Sequence, residues 1–540
     1  MHCIRFSLCI ALFACGKVAH EGDDSAGDVD GAPPGFQTLE VTVSGDGAVT
    51  SDPPGIDCPD TCSFNFPEGS EVTLTPVPAP TADLAAWDGD CAGFAGCAVT
   101  MDTGRAVDAR FGAHGSKRWV NQVSFMGQDF IENDVVVDPE GNPIIAGSID
   151  DNGIDLYVAK YRKDTGELAW ENRVDTSGES TSNYYGGLAV DGDGNAYAAI
   201  SLNGFGTITI AGTDVTADVY GNIVLMRFAA SDGHIEWVKQ WGGDGQDRPH
   251  ALAISGTNIF IAAESSSSPI DFDGTVLNGS IDDGVVVKAR TANGNATRAK
   301  LLDTNIQVRA IAVSDTRVAI AGGFSGTYNF DACGISSSGT NSPDGYVAQL
   351  AQTDLSCQWA QDFGDLQADQ NASASGVAAY PGGGWVATGS FSGNVLFAES
   401  GSSLGSHGSL DAFAVRYAAN GDHIWSFRYG GTGFDVGTAI ATTADGSTLL
   451  TGSFAADITF GTFDLTGVND AFVTRMSSGN APTHEWAVAL GGDGTDWPEG
   501  IALDAAGYVY VLSYFMGMTE VDGQGMTALD YDAWLAAIVR

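Results

Sequence analysis

Gly430 to Phe454 reads GGTGFDVGTAIATTADGSTLLTGSF, and Gly491 to Phe515 reads GGDGTDWPEGIALDAAGYVYVLSYF; the two superimpose without a gap. A looser copy, GGDGQDRPHALAISGTNIFIAAES, starts at Gly242. Repetition of this kind marks a supersecondary unit that cannot bury its apolar face alone and must stack on copies of itself. Inside each copy a Gly/Asp loop leads to an apolar run, a tight turn and a second apolar run, which is how strands joined by turns are written.

Working outward, the same order recurs from Lys117 to Arg540. Each unit holds a Trp strand, the Gly/Asp loop, a strand ending in VDPEGN, VDGDGN or LDAAGY, a strand such as IIAGS or YVLSY, a variable hairpin, and a strand such as DLYVAK, DAFAVR or DAFVTR. Trp strands lie at Trp119, Trp170, Trp237, Trp359, Trp425 and Trp486, with a Trp-less copy, ATRAKLL, near Ala299. The starts are spaced by roughly 50 to 67 residues, and four alternating strands per unit describe a propeller blade. The array opens on an orphan Trp strand, KRWVNQV, and closes on DAWLAAIVR without one. If the first strand completes the last sheet, seven blades close into a ring with no free edge. The expected fold class is therefore all-β: a seven-bladed β-propeller over residues 117–540, preceded by a small disulfide-bearing β-domain. The units resemble the bacterial SBBP β-propeller repeat, with its Gly-Gly-x-Gly-x-Asp loop, Gly-Asn turn and Asp-Ala-Phe-Val strand, most closely in the last two. KDTGELAW is also similar to the repeat of quinone-cofactor propellers and of outer-membrane assembly lipoproteins, a shared blade grammar that implies no quinone.

Composition agrees with strands and turns: 72 glycines punctuate runs of Val, Ile, Ala, Phe and Tyr. The formal charge is −45, with 23 Lys and Arg against 68 Asp and Glu. That excludes a nucleic-acid-binding surface, which needs concentrated basic residues.

Residues 37–112 follow another pattern, short alternating strands with Cys58, Cys62, Cys91 and Cys97. The Gly-rich first hairpin, the Cys58/Cys62 pair, EGSEVTLTPVP, Trp87, the Cys91/Cys97 pair and VTMDTGRAVDARF resemble, in that order, a divergent InlB B-type repeat. The resemblance implies an extracytoplasmic spacer or interaction module without catalytic residues. Ahead of it, residues 1–14 hold Arg5 and an apolar run too short to span a bilayer, an export signal. Leu12-Phe13-Ala14-Cys15 resembles a lipobox, which implies lipidation of Cys15, and the following Gly16 implies the outer membrane. Residues 15–36 are acidic, small and Pro-containing, a flexible tether with a reach of roughly 25 Å. Cleavage would leave six cysteines, Cys58, Cys62, Cys91, Cys97, Cys333 and Cys357, an even number that favours three disulfides in an exported chain. Their spacings suggest Cys58–Cys62, Cys91–Cys97 and Cys333–Cys357, with a zinc site as the rival reading.

Catalytic signatures are lacking. GSSLG at Gly401 to Gly405 fits a nucleophile-elbow string but lies in a polar hairpin. DGDGN at Asp191 to Asn195 has no Glu at the twelfth position of a calcium loop and reads as the blade turn. His234, His423 and His484 each precede a Trp strand and read as repeated surface residues. Asp247, Asp435 and Asp496 occupy matching loop positions with Asp129 as a fourth; they read first as turn-fixing carboxylates. Converging on one face they would instead form an acidic ring for Ca2+ or a cationic ligand. The repeated tryptophans read as space-fillers between sheets. Trp241, Trp385, Trp497 and Trp534 fall outside that pattern, and Trp497, beside the Gly/Asp loop, is the ligand-stacking candidate. The functional expectation is a non-enzymatic binding or scaffolding lipoprotein, monomeric, on the cell surface, touching the membrane only through its N-terminal lipid and recognising a protein or glycan through variable rim loops. The alternatives are a periplasm-facing outer-membrane assembly scaffold, and a propeller hydrolase or lyase acting on polysaccharide, which a pair of acids with shifted pKa values in the central channel would favour.

Overall fold

The computed structural model describes residues 32–540 apart from 94–95, 125–128, 151–153, 177–183, 218, 280–282, 332, 338–342, 366–369 and 399–402. The expected signal peptide, Cys15 and most of the tether lie outside the described residues, as does the side chain of Asp129. Every regular element among the described residues is a β-strand.

The N-terminal module is two four-stranded sheets laid face to face. In one, Phe36–Ser44 pairs antiparallel with Ser63–Pro67 and parallel with Arg105–Ala113. The other is built on Gly47–Asp52 and Glu71–Pro78. Alternate residues of Glu71–Pro78 point inward, Val72 and Leu74 among them, and Trp87 fills the space between the sheets at 1% exposure. Disulfides Cys58–Cys62 and Cys91–Cys97 staple the module, and Cys333–Cys357 lies in the following array. For a body this small, cross-links supplement a core that cannot grow.

From Lys117 onward the described residues form seven antiparallel sheets of the same design in succession. Their first strands are Asp129–Val137, Tyr184–Val190, Asp247–Ser255, Ile306–Val313, Ala372–Ala379, Val436–Thr442 and Thr495–Leu503, and the sheets are numbered 1 to 7 in that order. Each first strand packs against the next, and that of sheet 7 packs against that of sheet 1, so the strands enclose an axis. Sheet 7 takes its fourth strand from the start of the array: Lys117–Val123 pairs with Gln524–Ile538, Ala533 opposite Val123 and Ala537 opposite Trp119. The chain is a β-propeller closed by strands from both ends of the array. Sheets 4 and 5 are laced further, because Asn394–Leu396 crosses to pair with Cys357–Asp365.

Middle strands such as Ala196–Leu202 and Thr448–Phe454 are buried at every residue, since neighbouring sheets cover both faces. Fourth strands are only partly buried, and their tryptophans join sheets. The indole N–H of Trp119 donates to Lys163 O at 2.8 Å, Trp170 to Ala230 O at 3.1 Å, Trp237 to Thr291 O at 3.2 Å and Trp359 to Ala419 O at 3.1 Å, each acceptor lying in the outer turn of the next sheet. Each ring also rests on that turn's glycine; a Cβ at Gly233 would stand 2.3 Å from the Trp170 ring. For Trp486 the next sheet is sheet 7, whose outer turn is interrupted by the closure. Gly115, from the linker, stands there instead: it has φ +82°, a Cβ on it would meet Trp486, and Gly115 N–H donates to Val539 O at 2.9 Å while Val539 N–H donates to Ser116 O at 2.8 Å. Two chain ends thus imitate a hairpin.

The module rests on the face of the ring that carries the tight turns. Tyr508 donates its hydroxyl to Leu84 O at 3.3 Å, Arg540 pairs with Asp83, and Gly93 lies against Asp164. The Gly/Asp loops and the variable hairpins emerge from the opposite face.

Candidate functional site

Asp247, Asp435 and Asp496 open the first strands of sheets 3, 6 and 7, and all three are fully buried. Asp247 accepts N–H from Gly243 at 2.9 Å and hydroxyls from Ser265 at 2.5 Å and Ser267 at 2.8 Å. Asp435 accepts N–H from Gly431 at 2.8 Å and from Ala455 at 3.1 Å. Asp496 accepts from Thr519 Oγ1 at 2.6 Å and from the Trp534 indole at 2.9 Å. Gly492 N–H also favours the ionised form of this carboxyl. Asp247 and Asp435 each hold an N–H four residues back in their own loop, and all three carboxylates bond within their own sheet. Among the described residues no three His, Cys, Asp or Glu side chains gather as a metal site. Asp129 stands one residue out of register with the others: Asp496 pairs through Phe515 to Asp532, whereas it is Phe130 that pairs through Ile149 to Asp155.

Burial pushes the Asp496 carboxyl up to about 6 from an ordinary 3.8, only partly offset by Thr519 and Trp534, with Asp470 adding repulsion. A carboxylate raised in the folded state opposes folding once ionised, so this group lowers stability as pH climbs from about 4 to about 6, by an amount of about 2–3 kcal/mol that is complete above that window. Asp496→Asn should remove the slope: the difference between urea midpoints at pH 5 and pH 8 narrows relative to the parent. An unchanged difference would show that Asp496 does not titrate there.

A second row of buried acids begins the third strands: Asp155, Asp283, Asp344, Asp411, Asp470 and Asp532, with Asn222 in sheet 2. Asp411 accepts His407 N–H at 2.9 Å and pairs with Arg428 at 2.7 Å; Asp155 accepts Thr176 N–H at 2.8 Å and pairs with Arg173 at 3.0 Å. The main-chain N–H of the loop residue that follows reaches back to this row, as Asp435 N to Leu410 O at 3.0 Å and Asp496 N to Asn469 O at 2.8 Å. This row stitches sheet to sheet.

What opens toward ligands is the axis. Every first strand carries a β-bulge, at 131/133, 185/188, 249/251, 308/310, 374/376, 437/439 and 498/500. A bulge re-aims the extra residue, and in sheets 3 to 7 those residues, His250, Arg309, Ser375, Thr438 and Glu499, line one cavity together with Asp134 and Tyr185. Glycines beside the bulges let the inner strands close up: a Cβ on Gly500 would stand 2.8 Å from Val135 N across the seam. The low-dielectric channel wall pushes Asp134 up to about 7, although N–H groups of Val135 and Leu188 favour its ionised form.

At the hairpin face the channel widens into a cavity of about 560 Å3 lined by Arg248, His250, Glu264, Gln307, Arg309, Ser375 and Glu499. Arg248 lies 3.8 Å over the Tyr184 ring, and Arg309 donates to Gln307 Oε1 at 2.8 Å. Glu264 lies opposite Arg248 in register, with its Oε2 3.4 Å from His250 Nε2. Burial alone would raise the Glu264 carboxyl; His250, Arg309 and Arg248 outweigh it and hold the group below its usual range. Nearby, half-buried Trp497 lies 6.3 Å from exposed Phe434, and Tyr514, its cross-strand partner, 5.9 Å from Tyr531.

Of the four tryptophans outside the repeat pattern, Trp241, Trp385 and Trp534 are buried and hydrogen-bonded to Asp273, Gln349 and Asp496. Trp497 alone of the four keeps an open face. The DGDGN segment is a turn, Asp191 Oδ1 accepting N–H from Asp193 at 3.0 Å and Asn195 at 2.9 Å. The histidines differ from the expectation of repeated surface groups: His234 is exposed, whereas His484 is wedged against Phe427, Tyr429 and Phe460, and burial pulls it down to about 4.

No protein-family model and no curated protein matches the sequence. Among solved structures, the chain is similar to a protein of unknown function from Dyadobacter fermentans (TM-score 0.37, 12% identity, 78% of this chain and 99% of that one). It is similar also to the Dos1 propeller (TM-score 0.37, 10% identity, 78% and 94%). A third is a subtype N11 neuraminidase-like protein of A/flat-faced bat/Peru/033/2010 (H18N11) (TM-score 0.35, 9% identity, 78% and 94%).

Proposed function

We propose that this chain is an envelope-anchored, non-enzymatic binding or scaffolding lipoprotein, held by a lipid on Cys15 and a flexible tether, whose seven-bladed propeller of SBBP-like repeats recognises a protein or glycan at its hairpin face. The disulfide-bearing InlB-like module is the spacer. What supports the reading is the division of labour between faces. The module covers turns of sheets 7 and 1 through Leu84, Asp83 and Gly93, while the opposite face keeps the channel mouth and the variable hairpins clear. Rigid scaffolds with divergent loops on one rim are how repeat folds bind.

Two measurements test it. Protease added to intact cells should cut the ring without lysis; protection until lysis would move the periplasm-facing assembly scaffold to first place. A 5-kDa polymer coupled at Phe205→Cys, on an exposed hairpin position, should block capture of cell-envelope glycan or protein, whereas the same polymer at Asn480→Cys, in an outer turn, should not. Equal blocking from both faces would remove the hairpin face from the mechanism.

Asp134 favours one other reading, a hydrolase or lyase acting on polysaccharide. Its carboxyl, raised to about 7 in the channel, lies near Tyr185, which also feels Glu499. New reducing ends released from polysaccharide and lost in Asp134→Asn would establish that reading; none would leave the binding protein.

A further inference from the structure

We propose that the channel mouth binds a carboxylate-bearing saccharide, a short uronic-acid glycan, with Arg248 and Arg309 holding the carboxylate and the aromatic row that includes Trp497 stacking the sugar. The inference rests on the binding reading above and names its ligand class.

The first observation is charge placement. The chain holds 23 basic residues against 68 acidic ones. Arg105, Arg110, Arg428 and Arg475 are each spent on a carboxylate. Arg248 and Arg309 share one cavity, and no ion pair within 4 Å joins either to a carboxylate among the described residues. Arg248 is presented flat on Tyr184 with its Nε and Nη2 held by the Gln246 amide oxygen at 3.1 and 2.9 Å, and Arg309 is steadied by Gln307. Guanidinium groups oriented by neighbours, Arg309 with most of its N–H groups unspent and Arg248 with its outer edge, are a preformed receptor for an oxyanion. His250, two residues past Arg248 at the bulge of the same strand, adds a third nitrogen-bearing group.

The second observation is the company these arginines keep. Glu264, Glu499, Gln307 and Ser375 line the same cavity. They would repel a densely anionic ligand but accept hydroxyl protons, which suits an acid diluted among hydroxyls. Two residues before Glu499 on the same strand is Trp497, beside Phe434, with Tyr514 and Tyr531 following across the sheet. Half-open aromatic faces next to a polar cavity match the C–H faces of pyranose rings. The cavity's volume lies in the range of ligand pockets.

The third observation decides against an acidic peptide or a long polyanion. At −45 the protein repels extended negative charge before contact, while a short ligand feels that field only within a screening length of about 8–10 Å.

The experiment titrates the whole chain with tetrasaccharides of galacturonic, glucuronic and mannuronic acid, each beside its carboxyl-reduced neutral counterpart, by calorimetry. At least one acid should bind ten-fold or more tighter than its neutral partner. Arg248→Gln/Arg309→Gln should erase that preference; Arg248→Lys/Arg309→Lys, which keeps charge and loses the bidentate fork, should retain part of it. Trp497→Ala should weaken acid and neutral forms alike, several-fold. Unchanged melting of each variant guards against misfolding. Equal affinity for both members of every pair, a preference that survives the glutamine variant, or no binding to any of the six overturns the proposal. If none binds while the polymer at Phe205→Cys still blocks envelope capture, the saccharide assignment falls and the binding-face reading stands. New reducing ends in the same mixtures would overturn the non-enzymatic reading and leave the acid site in place.

Discussion

A ring expressed from residue 124 onward should aggregate rather than fold, and appending residues 116–123 after Arg540 should restore a monomer with a cooperative melt. Lys117–Val123 supplies the fourth strand of sheet 7, with Val120 and Val123 buried and Trp119 packed 6.0 Å from Tyr510. Three large side chains returned to water cost about 5–9 kcal/mol at 1.5–3 kcal/mol each, comparable with the whole net stability of a domain, about 5–15 kcal/mol. Removal also bares the edge of Gln524–Ile538, whose run from Ala533 to Ile538 is apolar and buried, and such an edge invites pairing with another chain. The rescue is a matter of geometry: Val539 and Ser116 already exchange a hydrogen bond, so the strand can enter from either side. Size-exclusion chromatography and thermal melts read the result. A chain from 124 that melts like the rescued one would show that closure contributes nothing.

The second large effect is Asp411→Ala. Its carboxylate is fully buried and takes a hydrogen bond from His407 N–H and an ion pair from Arg428. Truncation leaves a loop N–H without an acceptor and a guanidinium without its partner, a loss of about 3–5 kcal/mol in urea unfolding. Asp411→Asn keeps an acceptor for the loop and should lose less. Asp155→Ala in sheet 1 makes the comparison, because the Arg173 side chain is 38% exposed where that of Arg428 is 23% exposed, so water compensates more there. If both alanine variants cost the same, solvent access to the arginine does not set the size of the effect.

The architecture was legible where a residue type repeats at a fixed place. Trp119, Trp170 and Trp237 recur because an indole must span from one sheet to the next turn, and the Gly/Asp loops recur because their carboxylates fold the loop on itself. The channel was not legible from residue type, because His250, Arg309, Ser375, Thr438 and Glu499 have nothing in common chemically. What they share is a place three residues past an equivalent position at the strand's start, held by Asp247, Ile306, Ala372, Asp435 and Asp496. A register count would have found them; a motif search could not, since a bulge constrains backbone and leaves the side chain free to vary. Asp129 stands one position off the repeat. Asp435 and Asp496 stand eight residues ahead of Thr443 and Asp504, which open the next turn, and the residue eight ahead of Asp138 is Phe130. His484 shared a position with exposed His234, but the phenyl groups around it come from the fourth strand of sheet 5, through Phe427, and from the outer hairpin of sheet 6, through Phe460.

Gly115 joins the module to the ring at the seam, and this decides how the molecule bears load. A pull on the N-terminal module enters the ring through Ser116 and runs along Lys117–Val123, parallel to the strand axis. The hydrogen bonds to Gln524–Ile538 lie across that line and are loaded together in shear instead of being peeled one at a time. Arg540 with Asp83, and Tyr508 with Leu84 O, share the tension at the point of entry. A ring that would open first at its seam if unzipped is thereby pulled in the direction in which the seam is strongest.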